Sequence, residues 1–270
     1  MSKKKVLTIV GWSILAVALL LMYLPLVLIV VYSFINARNV GGSGGFTFAL
    51  YVNLFRNEDL MYATGNTLLI GLVSSLLATL IGTVSSVGIF YLKRGKTAVN
   101  TVSQITVFNA EIVTAVGFFL LSLFLRDVIK LPVEGGMAWL IVCHTVMTTP
   151  YVILSVSPRL NQLNPNLFEA GQDLGAGPMR TLLTVIFPQL IKGMISGFAL
   201  SFTLSMDDFV VTNMNKGYNG VETISTYVYN NIKRGLDPSI RALSTIIFAV
   251  ILVVLILVNI LGRRKSKKKA

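Results

Sequence analysis

The sequence is poor in charge. Only 13% of its 270 residues are Asp, Glu, Lys or Arg, against about 25% for a soluble globular domain. A soluble chain of this length buries a core and covers it with charge, so that class is excluded. There is one cysteine and one histidine. Cys143 allows no internal disulfide. With His144 as the single imidazole, no His/Cys set at metal-ligand spacing exists. Both lie in an apolar run and read as interior packing residues. No nucleophile–His–acid constellation is visible, so no catalytic residue is assigned and the chain does not read as an enzyme. A soluble segment large enough for a nucleotide site is also missing. Gly88 followed by Gly95-Lys96-Thr97 imitates a P-loop, which needs four residues between its glycines so that backbone amides ring a phosphate. Six intervene here, and the first glycine sits inside an apolar run. No cofactor is therefore expected in this chain, and if ATP drives the protein, another chain binds it.

What the sequence has instead is length of apolar run. Hydrophobic residues make up 54% of the chain, and mean hydropathy is +0.76. Crossing a bilayer takes about 20 apolar residues per helix. Six blocks qualify: Val6–Ile35, Asn66–Leu92, Val99–Leu125, Met137–Ser157, Pro188–Thr212 and Ile240–Leu261. The first exceeds the need, which predicts tilt or projection beyond the bilayer. None alternates with period two, so a β-barrel is set aside. The expectation is an all-α membrane protein with six transmembrane helices, forming a single domain over residues 1–270.

The net charge of +12 suggests nucleic acid, but its distribution argues for a membrane topology. With the N-terminus inside, 15 of the 23 Lys and Arg fall on the inner side and 8 outside. The positive-inside rule then places both termini in the cytoplasm of a cytoplasmic-membrane protein. The basic tail Arg263–Lys269 is a topology anchor that can also touch anionic lipid. Three lysines before the first apolar run imitate a signal peptide. That run is too long and no small-residue cleavage site follows it closely, so it reads as a retained helix. Outside the spans, Gly41-Gly42-Ser43-Gly44-Gly45 is linker material, and Ala49–Phe55 is a short amphipathic piece. Lys93-Arg94-Gly95-Lys96 is a tight inner turn. The last outer segment, Asn213–Ser239, is expected to be helical around Val221–Ile232.

The loop from Arg159 to Phe187, between the fourth and fifth spans, is the most informative segment. Asn164-Pro165-Asn166 starts a helix, with Asn164 as N-cap and Pro165 as the first helical residue. Leu167, Ala170, Gly171 and Leu174 give that helix an apolar face at spacings of three and four. Gly175-Ala176-Gly177-Pro178 ends it and begins a second helix, whose face is Met179, Leu182, Leu183 and Ile186. Pro188 marks the start of span five. Two readings stay open from these residues: the pair packs beneath its own bundle, or it docks with a partner that the small residues Ala170, Gly171 and Gly175 let approach.

These same residues carry a resemblance. The permeases of ABC importers have a cytoplasmic motif of Glu-Ala-Ala, three residues, Gly, nine residues, then Ile, any residue, Leu and Pro. Glu169-Ala170-Gly171, Gly175 and Val185-Ile186-Phe187-Pro188 match its spacing throughout, with Gly171, Val185 and Phe187 replacing Ala, Ile and Leu. The resemblance implies the type I importer, MetI-like, permease fold. It also implies that Glu169, Ala170, Gly171, Gly175 and Pro188 belong to a coupling loop seated on an ATPase dimer, which binds the ATP and magnesium. ATP-driven closure of that dimer would turn a pair of permeases from inward-facing to outward-facing.

Three acids fall inside predicted spans: Glu111, Asp207 and Asp208. An ionisable group in the membrane is costly unless it faces protein or water. Gly193, Gly197, Ser201, Ser205, Asp208 and Thr212 recur at spacings of three and four and make one small, polar stripe. Two readings stay open here as well: helix packing through small residues, or a substrate path or gate carried by Asp207, Asp208, Ser205 and Thr212. For Glu111 the choice is between the path and a satisfied interior carboxyl. An acidic lining favours a cationic cargo, and aromatics such as Phe108, Phe118, Tyr151 and Phe209 can hold an alkylammonium or simply pack. Ser205-Met206-Asp207-Asp208-Phe209-Val210-Val211-Thr212 and Asp237–Thr245 resemble segments of the PotC-type permeases of spermidine/putrescine systems, a likeness running through most of Asn66–Val258. That likeness implies a polyamine cargo. It also implies a PotB-like second permease, a PotA-like ATPase and an external PotD-like polyamine-binding protein. An ABC permease for another small solute and a stand-alone secondary transporter are the competing readings.

Overall fold

A computed structural model describes residues 3–37, 41–42, 44–92, 94–164, 166–218, 220–232 and 237–267. Pro165 and Ser43, named above, and Arg38, Lys93, Lys233, Arg234, Lys268 and Lys269, counted above among the 23 Lys and Arg, lie outside them. Among the described residues the regular structure is helical, apart from one isolated bridge between Ile35 and Phe46. Four helical stretches are long and apolar enough to cross a membrane: Val10–Tyr32, Glu58–Tyr91, Met137–Asn161 and Pro178–Asp207. The pair Lys96–Phe108 and Glu111–Asp127, bent by 103°, is a broken span or a re-entrant loop and would make a fifth, and the last apolar block lies in a further helix, Ser239–Lys267.

The chain divides into two units. The first comprises residues 1–61 and 231–270. In it, α1 (Lys3–Tyr32) presents exposed apolar side chains from Val10 to Val31, among them Trp12, Leu20 and Met22. A helix that is apolar all round needs lipid or protein for solvent. The guanidinium of Arg241 donates to Tyr32 O at the end of this helix at 3.4 Å and to Ala37 O in the segment after it at 2.8 Å. The amphipathic piece is α2 (Ala49–Arg56), which buries Leu50 and Leu54 and exposes Val52 and Phe55.

The second unit, residues 62–230, holds most of α3 (Glu58–Tyr91), then α4 (Lys96–Phe108), α5 (Glu111–Asp127), α6 (Met137–Asn161), α7 (Leu167–Asp173), α8 (Pro178–Thr181), α9 (Phe187–Asp207), α10 (Val210–Asn215) and the start of α11 (Ile224–Asn231). Two of the expected spans are not single helices. Val99–Leu125 is broken at Asn109-Ala110, and α4 and α5 meet at 103°. Both residues are extended, with ψ of 145° and 135°. Asn109 donates its side-chain amide to Thr114 Oγ1 at 3.2 Å, and Glu111 sits in the first turn of α5. A side chain bonded forward across the break and an acid at the positive end of the new helix both favour a fresh start. Pro188–Thr212 likewise ends early, at Asp207. Its beginning runs the other way, because helix continues unbroken from Pro178 through a π-turn at Leu182–Ile186. Pro188 cannot bond the carbonyl of Thr184 and crowds it, and the wider turn just before it takes up the misfit. The Gln189 side chain donates to Val185 O at 2.9 Å.

The closest seam of this unit is α6 against α9. Cβ atoms placed on Gly193 and Gly197 would lie 3.0 Å from Arg159 Cγ and 3.1 Å from Val152 Cγ1. Across from it, Gly82 of α3 faces Val152, which a Cβ would meet at 2.7 Å. Ala78, Val87, Val152, Val156, Leu160, Ile186 and Leu190 form the core there. Small residues thus let three membrane helices close on one another, as packing in lipid requires. Gly197→Leu is expected to cost about 1–3 kcal/mol by overpacking, read as a lower midpoint in thermal unfolding of the solubilised protein. An unchanged midpoint would show that the seam is loose.

Candidate functional site

The loop 159–187 folds as two short helices around a glycine turn. Asn164 is not the N-cap expected: α7 begins at Leu167 with Asn166 at the cap position, and Asn164 Oδ1 instead accepts the Asn166 amide at 3.0 Å in the turn before it. Gly175 has φ of +82°, the left-handed conformation in which a Cβ is strained. The anticipated apolar faces are divided. Leu167, Leu182 and Ile186 turn inward onto the core, with Phe168 beside Tyr91 at 5.2 Å between ring centroids. Leu174, Met179 and Leu183 are exposed by 89%, 68% and 55%. Glu169 and Ala170 are exposed beside them, and Gly171 is buried. Gly171 serves an internal approach: a Cβ there would lie 2.5 Å from Thr181 Cγ2. At Gly175 a Cβ would meet nothing within 4 Å, so its side is open. Packing and an unfilled apolar surface coexist in one element.

The polar stripe of span five is mostly a packing seam within this chain. Gly193 and Gly197 touch α6, and Ser201 donates to Thr148 Oγ1 at 2.7 Å. Ser205 lies 3.1 Å from Ser74 Oγ of α3 and 2.6 Å from His144 Nδ1 of α6. Asp208 stands in the break between α9 and α10, with φ −63° and ψ 131°. Its carboxylate accepts the Val211 amide at 3.2 Å, the Thr212 amide at 2.8 Å and the Thr212 hydroxyl at 2.8 Å. It therefore caps α10, satisfying donors that a helix start leaves open. Thr212 Oγ1 is also 3.0 Å from His144 Nε2. Ser205, Asp208 and Thr212 are all buried, whereas Asp207 and Glu111 are exposed. A cavity of about 630 Å³ opens where α5 and α10 end. Arg126, Glu134, Asn213 and Lys216 line it, and Glu111, Asp207 and Asp208 do not.

His144 is the residue that sequence reasoning passed over. Read as packing, it is instead the hub between Ser205 and Thr212. The rule that an ionisable group inside a span needs a partner applies to it as to the three acids. No group of three or more His, Cys, Asp and Glu that could hold a metal occurs among the described residues.

Residues 78–267 match the family described as "Binding-protein-dependent transport system inner membrane component". The chain belongs to this family. It is thus a multi-pass inner-membrane permease of an ABC importer, not itself a catalyst, and such permeases work with an ATPase and a binding protein. The chain is 31% identical over 247 residues to the "Spermidine/putrescine transport system permease protein PotC" of Escherichia coli K12, covering 91% of both chains. It is 29% identical over 250 residues to the "Putrescine transport system permease protein PotI" of the same organism, covering 92% of this chain and 89% of that one. In fold it matches a chain of a bacterial ABC transporter for alginate import with a TM-score of 0.71 at 13% identity, covering 97% of this chain and 98% of that one. It also matches a chain of the MetNI methionine transporter at 0.56 and 19%, covering 83% and 100%. The permease fold expected from the resemblance is the one found.

Proposed function

We propose that this permease is the PotC-like subunit of an ATP-driven importer of polyamines, spermidine or putrescine. It would form half of the translocation pathway beside a PotB-like second permease, with both termini in the cytoplasm. A PotD-like binding protein would deliver cargo, and a PotA-like ATPase dimer would hold the ATP and magnesium. The observation that carries the cargo is the likeness, over nine-tenths of the chain, to permeases named for spermidine and putrescine. The exposed acids support it. Asp207 at the end of α9 and Glu111 at the α4–α5 bend offer negative charge to a cation, and among the described residues neither is in an ion pair. Asp208 acts beside Asp207 by fixing the break on which Asp207 sits. Ser205 and Thr212 hold that break rather than touch cargo.

On the cytoplasmic side, the surface of Glu169, Ala170, Gly175, Leu174, Met179 and Leu183 is the part offered to the ATPase. Gly171 and Pro188 shape it from behind, through the close approach to Thr181 and the π-turn. Movement of the loop passes directly into span five, because helix runs without interruption from Pro178 to Asp207.

The test is uptake into proteoliposomes holding the complete complex and its binding protein. ATP-dependent uptake of labelled spermidine, competed by putrescine and not by amino acids or sugars, is the expected result. Competition by an unrelated solute alone would assign another cargo. Uptake that persists without the ATPase subunit would favour a secondary transporter.

A further inference from the structure

Five hydrogen bonds run in line through the centre of the second unit. Ser74 Oγ reaches the Ile70 carbonyl at 2.6 Å and Ser205 Oγ at 3.1 Å. Ser205 Oγ reaches His144 Nδ1 at 2.6 Å, and His144 Nε2 reaches Thr212 Oγ1 at 3.0 Å. Thr212 Oγ1 reaches Asp208 Oδ2 at 2.8 Å. Each link needs one hydrogen. A hydroxyl supplies one, a neutral imidazole one and a carboxylate none. Three hydroxyls, a neutral His144 and an ionised Asp208 therefore supply one hydrogen too few.

Direction locates the missing hydrogen. A carbonyl only accepts, so Ser74 donates to Ile70. Ser205 must then donate to Ser74, and His144 must donate from Nδ1 to Ser205. At the other end there are two ways to finish. Either His144 is an imidazolium that also donates from Nε2 to Thr212, which donates to a carboxylate. Or Asp208 is a carboxylic acid donating to Thr212, which donates to Nε2. Both carry a hydrogen on Nδ1, and both hold the same extra proton.

The His144 and Asp208 side chains are 1% and 2% exposed, with Nε2 3.6 Å from Oδ2. Ala115, Cys143 and Val211 form the apolar wall beside them, with Phe118 and Met147 against it. With the extra proton the pair has no net charge; without it the pair is a buried anion held by the amides of Val211 and Thr212 and by the Thr212 hydroxyl. The other titratable groups on the packed elements are Cys143, buried, Tyr151, half-buried, and Arg159, exposed, of α6; Lys192 and Asp207 of α9, both exposed; and Glu111, Arg126 and Asp127 of α5, all exposed. Residues 67–83 of α3 and all of α10 carry no charged side chain.

We propose that His144 and Asp208 share one buried proton, which completes the hydrogen-bond chain tying α3, α9, α6 and α10 at the α9–α10 break. Losing it turns the chain around: Ser205 donates to Nδ1, and Ser74 is left with one hydrogen for both the Ile70 carbonyl and Ser205, which weakens the tie between α3 and α9. His144 is then a positioning residue, and the pair a proton-dependent latch on the helix that continues into the coupling loop. The proton count involves no cargo, so it stands or falls separately from the polyamine reading.

His144 is the single histidine of the chain, which makes the test direct. The permease is labelled with 15N-histidine, assembled with unlabelled partner subunits in lipid, and its imidazole nitrogens are read by solid-state NMR. At about pH 6, on the acid side of the range in which histidine changes charge, Nδ1 is expected to carry a hydrogen. The expected change on raising the pH is loss of that hydrogen in one step, giving the Nε2–H tautomer. Asp208→Asn is expected to abolish the step. An unprotonated Nδ1 at pH 6 in the natural protein overturns the proposal, whether or not the variant assembles. So does a titration that Asp208→Asn leaves in place.

Discussion

A permease carrying Gly175→Val is expected to insert and assemble normally yet to import cargo at least about tenfold more slowly, with ATP hydrolysis no longer stimulated by loaded binding protein. Gly175 holds φ of +82° in the turn between α7 and α8, where a side chain costs about 1–2 kcal/mol. Its own chain offers no steric objection, since a Cβ meets nothing within 4 Å. A valine is therefore tolerated locally with some strain. Its cost is felt where it projects and in the angle it imposes between the two helices. Both bear on the surface of Leu174, Met179 and Leu183. Gly95→Val is the control. Gly95 has φ of +77° and equally open surroundings, but it precedes α4 and lies outside the loop. Equal uptake in the two variants would mean that left-handed strain, and not contact with the ATPase, sets the effect. Normal uptake and normal stimulated hydrolysis in Gly175→Val would remove the loop from the coupling path.

How far the fold could be read from residues depended on which force governed each segment. Apolar block length governs the spans, so α1, α3 and α6 stand where hydropathy put them. The helix–glycine–helix form of the coupling loop was legible for the same kind of reason, because Gly175 and Pro178 act locally. The breaks were not. Val99–Leu125 is uniformly apolar enough to be one helix, and its 103° bend depends on Asn109 bonding forward to Thr114 at an extended backbone. Asp208 fits a helical stripe perfectly well by spacing. It leaves the helix because its carboxylate gains the amides of Val211 and Thr212, an exchange visible only once α10 is in place. Gly193 and Gly197 showed their smallness in sequence but not what approached them, and the answer was α6 of the same chain. His144 was illegible for another reason. A lone imidazole has no spacing partner, and the groups that give it meaning, Ser205 and Thr212, arrive from 61 and 68 residues away.

The role of Asp208 separates sharply from that of its neighbour, and substitution tells them apart. Asp208→Ala removes the acceptor of two buried backbone amides and of the Thr212 hydroxyl. The hydroxyl can rotate toward His144, but the amides cannot. Each unsatisfied buried donor costs about 1–3 kcal/mol, so the two amides alone cost on the order of 2–6 kcal/mol, a large part of a typical total near 5–15 kcal/mol. Most of the assembled permease is expected to be lost, seen as a fall in the monodisperse complex on size exclusion and a lower unfolding midpoint. Asp208→Asn keeps one acceptor oxygen on the same scaffold and should recover much of that loss. Asp207→Ala, at an exposed position, should assemble as the natural protein does. Its defect should appear in uptake alone, and most strongly for a cation. If Asp208→Ala assembles as well as Asp207→Ala, the carboxylate is not the cap that the distances describe, and Asp208 returns to the pathway as a direct contact. If Asp207→Ala also fails to assemble, the exposed acid has a structural partner elsewhere in the complex, most directly in the second permease across the shared path.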